Sequence, residues 1–156
     1  MIKEIKNIIF DMDGVLVDSE NGIRIACIKM FANRGVSVTP EDFMPFTGMG
    51  ENKFIGGVAE KYGLSFISEM KTEAYGIYEQ IADEYVVVYE GIKDFIIRLK
   101  ECGYKLAVAS AADDIKVKIN LNCYDSLRNV GADHVVEKTV DMINILRVAQ
   151  KAIPDF

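Results

Sequence analysis

Three observations predict an α/β fold with an inserted helical module. The apolar run Ile8-Ile9-Phe10 ends in Asp11-Met12-Asp13-Gly14, which reads as a short buried strand delivering acids to a glycine turn. Residues 20–84 carry helical periodicity and no strand pattern. A second apolar run, residues 104–109, follows an amphipathic helix and ends at Ser110. That helix and strand form a βαβ-type crossover with the first strand, which gives a parallel, Rossmann-like sheet.

Each element has its own signal. Residues 5–10 are expected to form the central strand. Ile23, Ala26, Cys27, Met30 and Phe31 recur at helical spacing, and Gly35 stops that helix as a C′ residue. Thr39-Pro40-Glu41-Asp42 combines a hydroxyl cap, proline in the first turn and acids at the positive dipole end, so it starts a helix. Residues 51–62 and 68–84 read as two further helices, parted near Gly63. Residues 85–89 lead back to the core. Ile92, Phe95, Ile96 and Leu99 mark an amphipathic helix that ends at Gly103. A helix starts near Asp113, residues 132–136 suit a short strand, and Thr139 caps a last helix carrying Met142, Ile145, Leu146 and Ala149.

Composition excludes several classes of function. The chain has 156 residues, half of them hydrophobic and 27% charged, which suits one core with a small module and argues against disorder. Net charge is −6 with the signs interspersed, so no nucleic-acid surface is expected. No apolar run reaches membrane-spanning length, and the charged start Met-Ile-Lys-Glu-Ile-Lys does not suit a secretory signal. The cytoplasm is the default location, and an organelle reached by a removed transit peptide stays open. Cys27, Cys102 and Cys123 lack CxxC spacing and are expected to be reduced and mostly buried. His134 is the single histidine, and without a second His or Cys at ligand spacing its role is structural.

The chemistry centres on Asp11 and Asp13. Side chains at i and i+2 of a strand leave on one face, so these carboxylates can converge at the carboxyl end of the sheet, where open α/β folds bind ligands. Their mutual repulsion calls for a cation, and Mg²⁺ is the natural partner of such oxygen ligands.

The string Asp11-Met12-Asp13-Gly14-Val15-Leu16-Val17-Asp18-Ser19 resembles the first motif of the haloacid dehalogenase-like hydrolases, in particular the subgroup of β-phosphoglucomutase and small sugar-phosphate phosphatases. The resemblance runs from Ile8 to about Leu121 and includes Phe43-Met44-Pro45-Phe46-Thr47-Gly48 and Leu106-Ala107-Val108-Ala109-Ser110-Ala111-Ala112-Asp113. It implies a core of residues 1–17 and 85–156, with residues 18–84 as an all-helical cap hinged near residues 17–19 and 84–90. It further implies hydrolysis of a small phosphorylated metabolite, with Asp11 as nucleophile forming an aspartyl phosphate. Asp13 becomes the acid/base, and Asp11 with the Asp13 carbonyl holds Mg²⁺. Gly14 shapes a turn that aims backbone amides at phosphate, while Ser110 and the Ala111 amide hold the transferring group. Thr47, Gly48 and Lys53 stand in the substrate-specificity loop. Glu51 occupies a place where mutases usually carry arginine, which weighs against a sugar-phosphate mutase.

Two family elements are not found after Ser110. One is the lysine of a K-P-x-P-D string, and the other is the acidic pair of a fourth motif. Lys151-Ala152-Ile153-Pro154-Asp155-Phe156 is similar to the lysine string. The preferred alignment instead equates Val130-Gly131-Ala132-Asp133-His134-Val135-Val136 with the segment that closes these proteins, so that the third and fourth motifs are skipped. That reading predicts an incomplete sheet, an open flank on the first strand, a homodimer or recruited tail covering it, and a catalytically impaired protein as the rival to an active phosphatase.

Overall fold

The computed structural model describes residues 7–123 and the backbone of residues 134–136; Lys151 and the predicted last helix lie outside the described residues. The main sheet holds β1 (Asn7–Phe10), β4 (Lys105–Ala109) and β5 (His134–Val136) in the order β1-β4-β5, all parallel. Asn7 pairs with Lys105 and Phe10 with Val108, while Ala107 pairs with His134 and Ala109 with Val136. Leu106, Ala107 and Val108 are all buried, as a strand covered on both faces requires.

The expectation that residues 5–10 form the central strand is corrected: β4 is central and β1 is an edge among the described residues. The physical reason is the side on which β5 docks. It adds to the flank of β4 remote from β1, so β4-α5-β5 forms one consecutive parallel crossover unit. Among the described residues, the flank of β1 remote from β4 has no partner strand.

Between the first and second sheet strands the chain is helical over α1 (Glu20–Asn33), a 3-10 segment (Pro40–Phe46), α2 (Glu51–Lys61) and α3 (Ser68–Tyr85). Thr39 and Asp42 cap the 3-10 segment reciprocally, as the sequence signal promised, but Pro45 prevents its growth into an α-helix. The periodic residues of α1, Ile23, Ala26, Cys27, Met30 and Phe31, are all buried, mainly against α3. Gly22 permits that close approach, since a Cβ there would sit 2.8 Å from the Tyr78 ring. Phe31, Phe43 and Phe54 pack in series with tilted rings, their centroids 6.2 and 4.8 Å apart. Each such aromatic pair adds about 0.5–1.5 kcal/mol beyond area burial.

The two expected hinges are not free linkers. Val17–Asp18 (β2) and Val87–Val88 (β3) form a small antiparallel ladder, with Val17 opposite Val88 and Asp18 opposite Val87. Two-residue strands are too short to show a period, so the sequence had no way to announce them. Helix α4 (Ile92–Glu101) follows Gly91, whose φ of +78° needs glycine, and its Phe95 meets Phe10 edge-on at 6.3 Å. Helix α5 (Asp114–Asn122) follows β4 directly. The cysteines are all free, but only Cys27 is buried; Cys102, at the exposed turn that ends α4, corrects the expectation of mostly buried thiols.

Candidate active site

β1 stops at Phe10, and the chain then turns over a fully buried Met12. Asp11 is exposed, and its Oδ1 accepts a hydrogen bond from the Met12 N–H at 2.7 Å. Asp13 points into the protein and is part-buried. Its Oδ1 accepts from Ser19 Oγ at 2.5 Å and from Asn120 Nδ2 at 3.2 Å, and its Oδ2 lies 3.3 Å from Lys116 Nζ. The predicted pairing of both acids in one cleft is thus met only by Asp13. Asp13 lines the cleft, Asp11 does not, and the described residues hold no group of three or more His, Cys, Asp or Glu suited to a metal.

Gly14 adopts φ +77°, so the turn does need glycine. Its N–H, however, donates to Val17 O at 2.8 Å, and the amides of Leu16 and Val17 converge on Met12 O at 2.9 and 3.1 Å. The amides expected to face phosphate therefore close the turn on itself. Ser110 behaves similarly, its Oγ accepting from the Ala112 N–H at 3.1 Å as the chain enters α5. Ala111 and Ala112 form part of the cleft wall.

The cleft, ≈ 190 Å³ in volume, lies between the Asp13 turn, the start of α5, α1 and the loop before α2. Thr47 and Gly48 line it as the sequence predicts, whereas Lys53 is exposed on α2 outside it. Glu51 also lines it, and its Oε1 stands 3.3 Å from Lys116 Nζ. Lys116, 9% exposed at its side chain, is thus clamped between two carboxylates from different parts of the fold. A lysine so far from water is retained only when paired. Cys27 lies behind this cluster; burial first, then the Glu51 charge, pushes its thiol up to about 12, with Lys116 opposing. It is therefore inert as a nucleophile near neutral pH.

More ties from α5 support the cluster. Tyr78 donates to Asn120 Oδ1 at 2.5 Å, both residues being fully buried. Tyr75 Oη and Lys71 Nζ each lie 2.8 Å from Asp113 Oδ2, and these partners, Lys71 foremost, hold the Asp113 carboxyl below its ordinary range. Sequence reasoning missed Ser19, Arg24, Lys116 and Asn120. A signal existed for the last two: they stand four apart on α5, so a single face carries both toward Asp13. Because α5 also buries Val117, Ile119 and Leu121, no clean apolar stripe set that polar face apart.

Comparison with known proteins adds to this geometry. A family model described as haloacid dehalogenase-like hydrolase matches residues 8–145, so the likeness continues well past Leu121. Over 124 residues the chain is 40% identical to Protein SUPPRESSOR OF QUENCHING 1, chloroplastic, of Arabidopsis thaliana, matching 76% of this chain but only 12% of that protein's length. The crystal structure of CbbY from Rhodobacter sphaeroides in complex with phosphate superposes with a TM-score of 0.69 at 22% identity, over 97% of this chain and 74% of that one. A HAD family hydrolase from Deinococcus radiodurans R1, solved with bound phosphate and sodium, gives 0.60 at 20% identity, over 88% and 60%. At such identities the two solved structures establish a shared fold.

Proposed function

Because the chain belongs to the haloacid dehalogenase-like hydrolases, we propose that it is a phosphatase-type hydrolase that cleaves a small phosphate monoester through Asp11. The observation that carries this reading is Lys116, whose ammonium sits 3.3 Å from both Asp13 and Glu51 in a cleft at the carboxyl end of the sheet. The sequence offers Lys151 alone as a lysine countercharge, and Lys116 would add one from α5. Removing an electrostatic group of this kind from a preorganised site costs about 3 kcal/mol or more in the barrier, so its presence favours turnover.

In the proposed reaction an Asp11 carboxylate oxygen attacks phosphorus and the bond from phosphorus to the ester oxygen breaks. The departing oxygen takes a proton from the Asp13 carboxyl group. Asp13, now ionised, removes a proton from water; the oxygen of that water attacks phosphorus and the acyl phosphate bond breaks, restoring Asp11 and releasing inorganic phosphate. Ser19 and Asn120 fix the Asp13 carboxyl for both steps, and Lys116, held between Asp13 and Glu51, sets a positive charge beside the acid/base. An exposed Asp11 carboxylate with a neighbouring backbone carbonyl is an oxygen donor set that fits Mg²⁺, which takes one or two protein carboxylates and completes its shell with water and substrate phosphate. Bound there, Mg²⁺ would supply charge neutralisation for the approaching phosphate.

The consecutive β4-α5-β5 unit favours reading Lys151-Ala152-Ile153-Pro154-Asp155-Phe156 as the third-motif string over an internal jump. Glu51, bonded to Lys116, is an acid where a mutase reading asks for arginine, so isomerisation is the weaker reading. A catalytically impaired protein with a binding or regulatory role is favoured by one observation, the Gly14 amide turned inward. The name of the Arabidopsis relative supports a chloroplast location beside the cytoplasmic default. The deciding experiment is turnover of 4-nitrophenyl phosphate with Mg²⁺ by the wild-type chain, by Asp11→Asn and by Asp13→Asn. Turnover lost in both variants and on chelation is expected; activity that survives Asp11→Asn would overturn the assignment.

A further inference from the structure

The mechanism above leaves one cation of the cleft without work. Arg24 is on α1, in the wall of the cleft that also holds Thr47 and Gly48. Its Nε is buried with no hydrogen-bond partner among the described residues. Its ion pair, to Glu20 one turn earlier, is loose, with Nη2 3.8 Å from Oε2, and the Glu20 side chain is 59% exposed. Glu41, on the neighbouring 3-10 segment, feels the same charge. A guanidinium carries five donors in a planar fork that matches carboxylate or phosphate oxygens. Keeping such a group in a cleft with a donor out of water and unmatched is unfavourable unless a ligand completes it.

We propose that Arg24 reads a second anionic group, a carboxylate or a phosphate, on the phosphate monoester this cleft accepts. The proposal rests on the phosphatase reading and narrows its substrate class to esters with two anionic ends. The two cations divide the cleft. Lys116 stands against Asp13, the group assigned to protonate the departing ester oxygen. Arg24 comes from the cap helix and is joined to neither of the Lys116 carboxylates. Glu20 is the group a ligand must displace; being largely in water, it can leave at little expense.

A three-carbon series tests this with Mg²⁺ present: 3-hydroxypropyl phosphate with no second anion, 3-phosphonooxypropanoate with a carboxylate, and propane-1,3-diyl bisphosphate with a second phosphate. The wild-type chain should prefer at least one doubly anionic probe over the hydroxypropyl ester by tenfold or more in kcat/KM, and which one it prefers identifies the anion. Arg24→Met, which keeps the apolar stem, should abolish that preference while changing the hydroxypropyl ester less than twofold. Glu20→Gln should strengthen it. No preference in the wild type, or equal loss on all three esters in a folded Arg24→Met, overturns the proposal. If no ester is turned over, the phosphatase reading fails separately. Calorimetric binding of propane-1,3-diyl bisphosphate and 3-phosphonooxypropanoate to wild type and Arg24→Met then decides the second-anion site on its own: unchanged affinity, or no binding, refutes it.

Discussion

The contact between Tyr78 and Asn120 links α3 to α5 and, through the Asn120 amide, to Asp13, so its removal should be felt in the fold before the chemistry. Both side chains are fully buried, the phenol donates to Oδ1 at 2.5 Å, and Nδ2 donates to Asp13 Oδ1 at 3.2 Å. Burial, the leading cause, also raises the Tyr78 phenol above its ordinary value, so the donor stays protonated. Tyr78→Phe leaves the ring packing in place but strands the Asn120 carbonyl, which costs about 1–2 kcal/mol. Asn120→Leu, of similar shape, strands the phenol and costs about 1–3 kcal/mol; Asp13 keeps Ser19 and Lys116. The double variant strands neither group, so it should be less destabilised than the sum of the singles by about 1–2 kcal/mol. Urea unfolding of the four proteins measures this cycle, and melting should fall by about 2–4 °C per kcal/mol for a chain of this size. Strict additivity within about 0.3–0.5 kcal/mol would show that the two groups do not depend on each other, and the account of this junction would be wrong.

Other perturbations give equally direct outcomes. Lys116→Met leaves Asp13 and Glu51 facing each other without a cation; with side chains 27% and 14% exposed, the loss is about 1–3 kcal/mol, below the 3–5 of a fully buried pair, and adding Glu51→Gln should recover part of it in the same unfolding assay. Stability should fall at both ends of the pH scale. Asp42, held low mainly by Lys61, and Glu73, held low mainly by Asn33, have folded pKa values below their unfolded ones, so their contribution is present above about pH 4 and is lost as pH drops through the folded values. Cys27, raised to about 12 by burial, contributes below the ordinary thiol pKa of about 8.5 and loses that contribution as pH rises toward 12. Melting temperature against pH should thus be flat between about 5 and 8, and Asp42→Asn should flatten the acid limb; an unchanged acid limb counts against the Asp42 network. The outer flank of β1, unpaired among the described residues, is expected to form a homodimer or be covered by the chain's own C-terminal segment. Sedimentation across a hundredfold range of concentration distinguishes the two, and a concentration-independent monomer whose β1 amides exchange freely would exclude both.

The sequence by itself determined what is written in short-range chemistry. The periodicity of Ile23, Ala26, Cys27, Met30 and Phe31 became the buried face of α1, and the cap at Thr39 and the stops at Gly35 and Gly103 stand where their residue types placed them, because side-chain spacing and backbone freedom act over a few bonds. The first motif located Asp13, and Thr47 with Gly48 were found in the cleft wall. Tertiary structure decided the rest. Only the pairing of β5 with β4 made β4 central among the described residues, since the side of a sheet on which a strand docks depends on distant partners. Only packing could turn Asp11 outward, close the Gly14 amide onto Val17 and bring Lys116, 103 residues along the chain from Asp13, to within 3.3 Å of its carboxylate. A lysine among charged neighbours on an otherwise mixed helix carries no local mark of burial; the mark is the pair of carboxylates that folding sets around it.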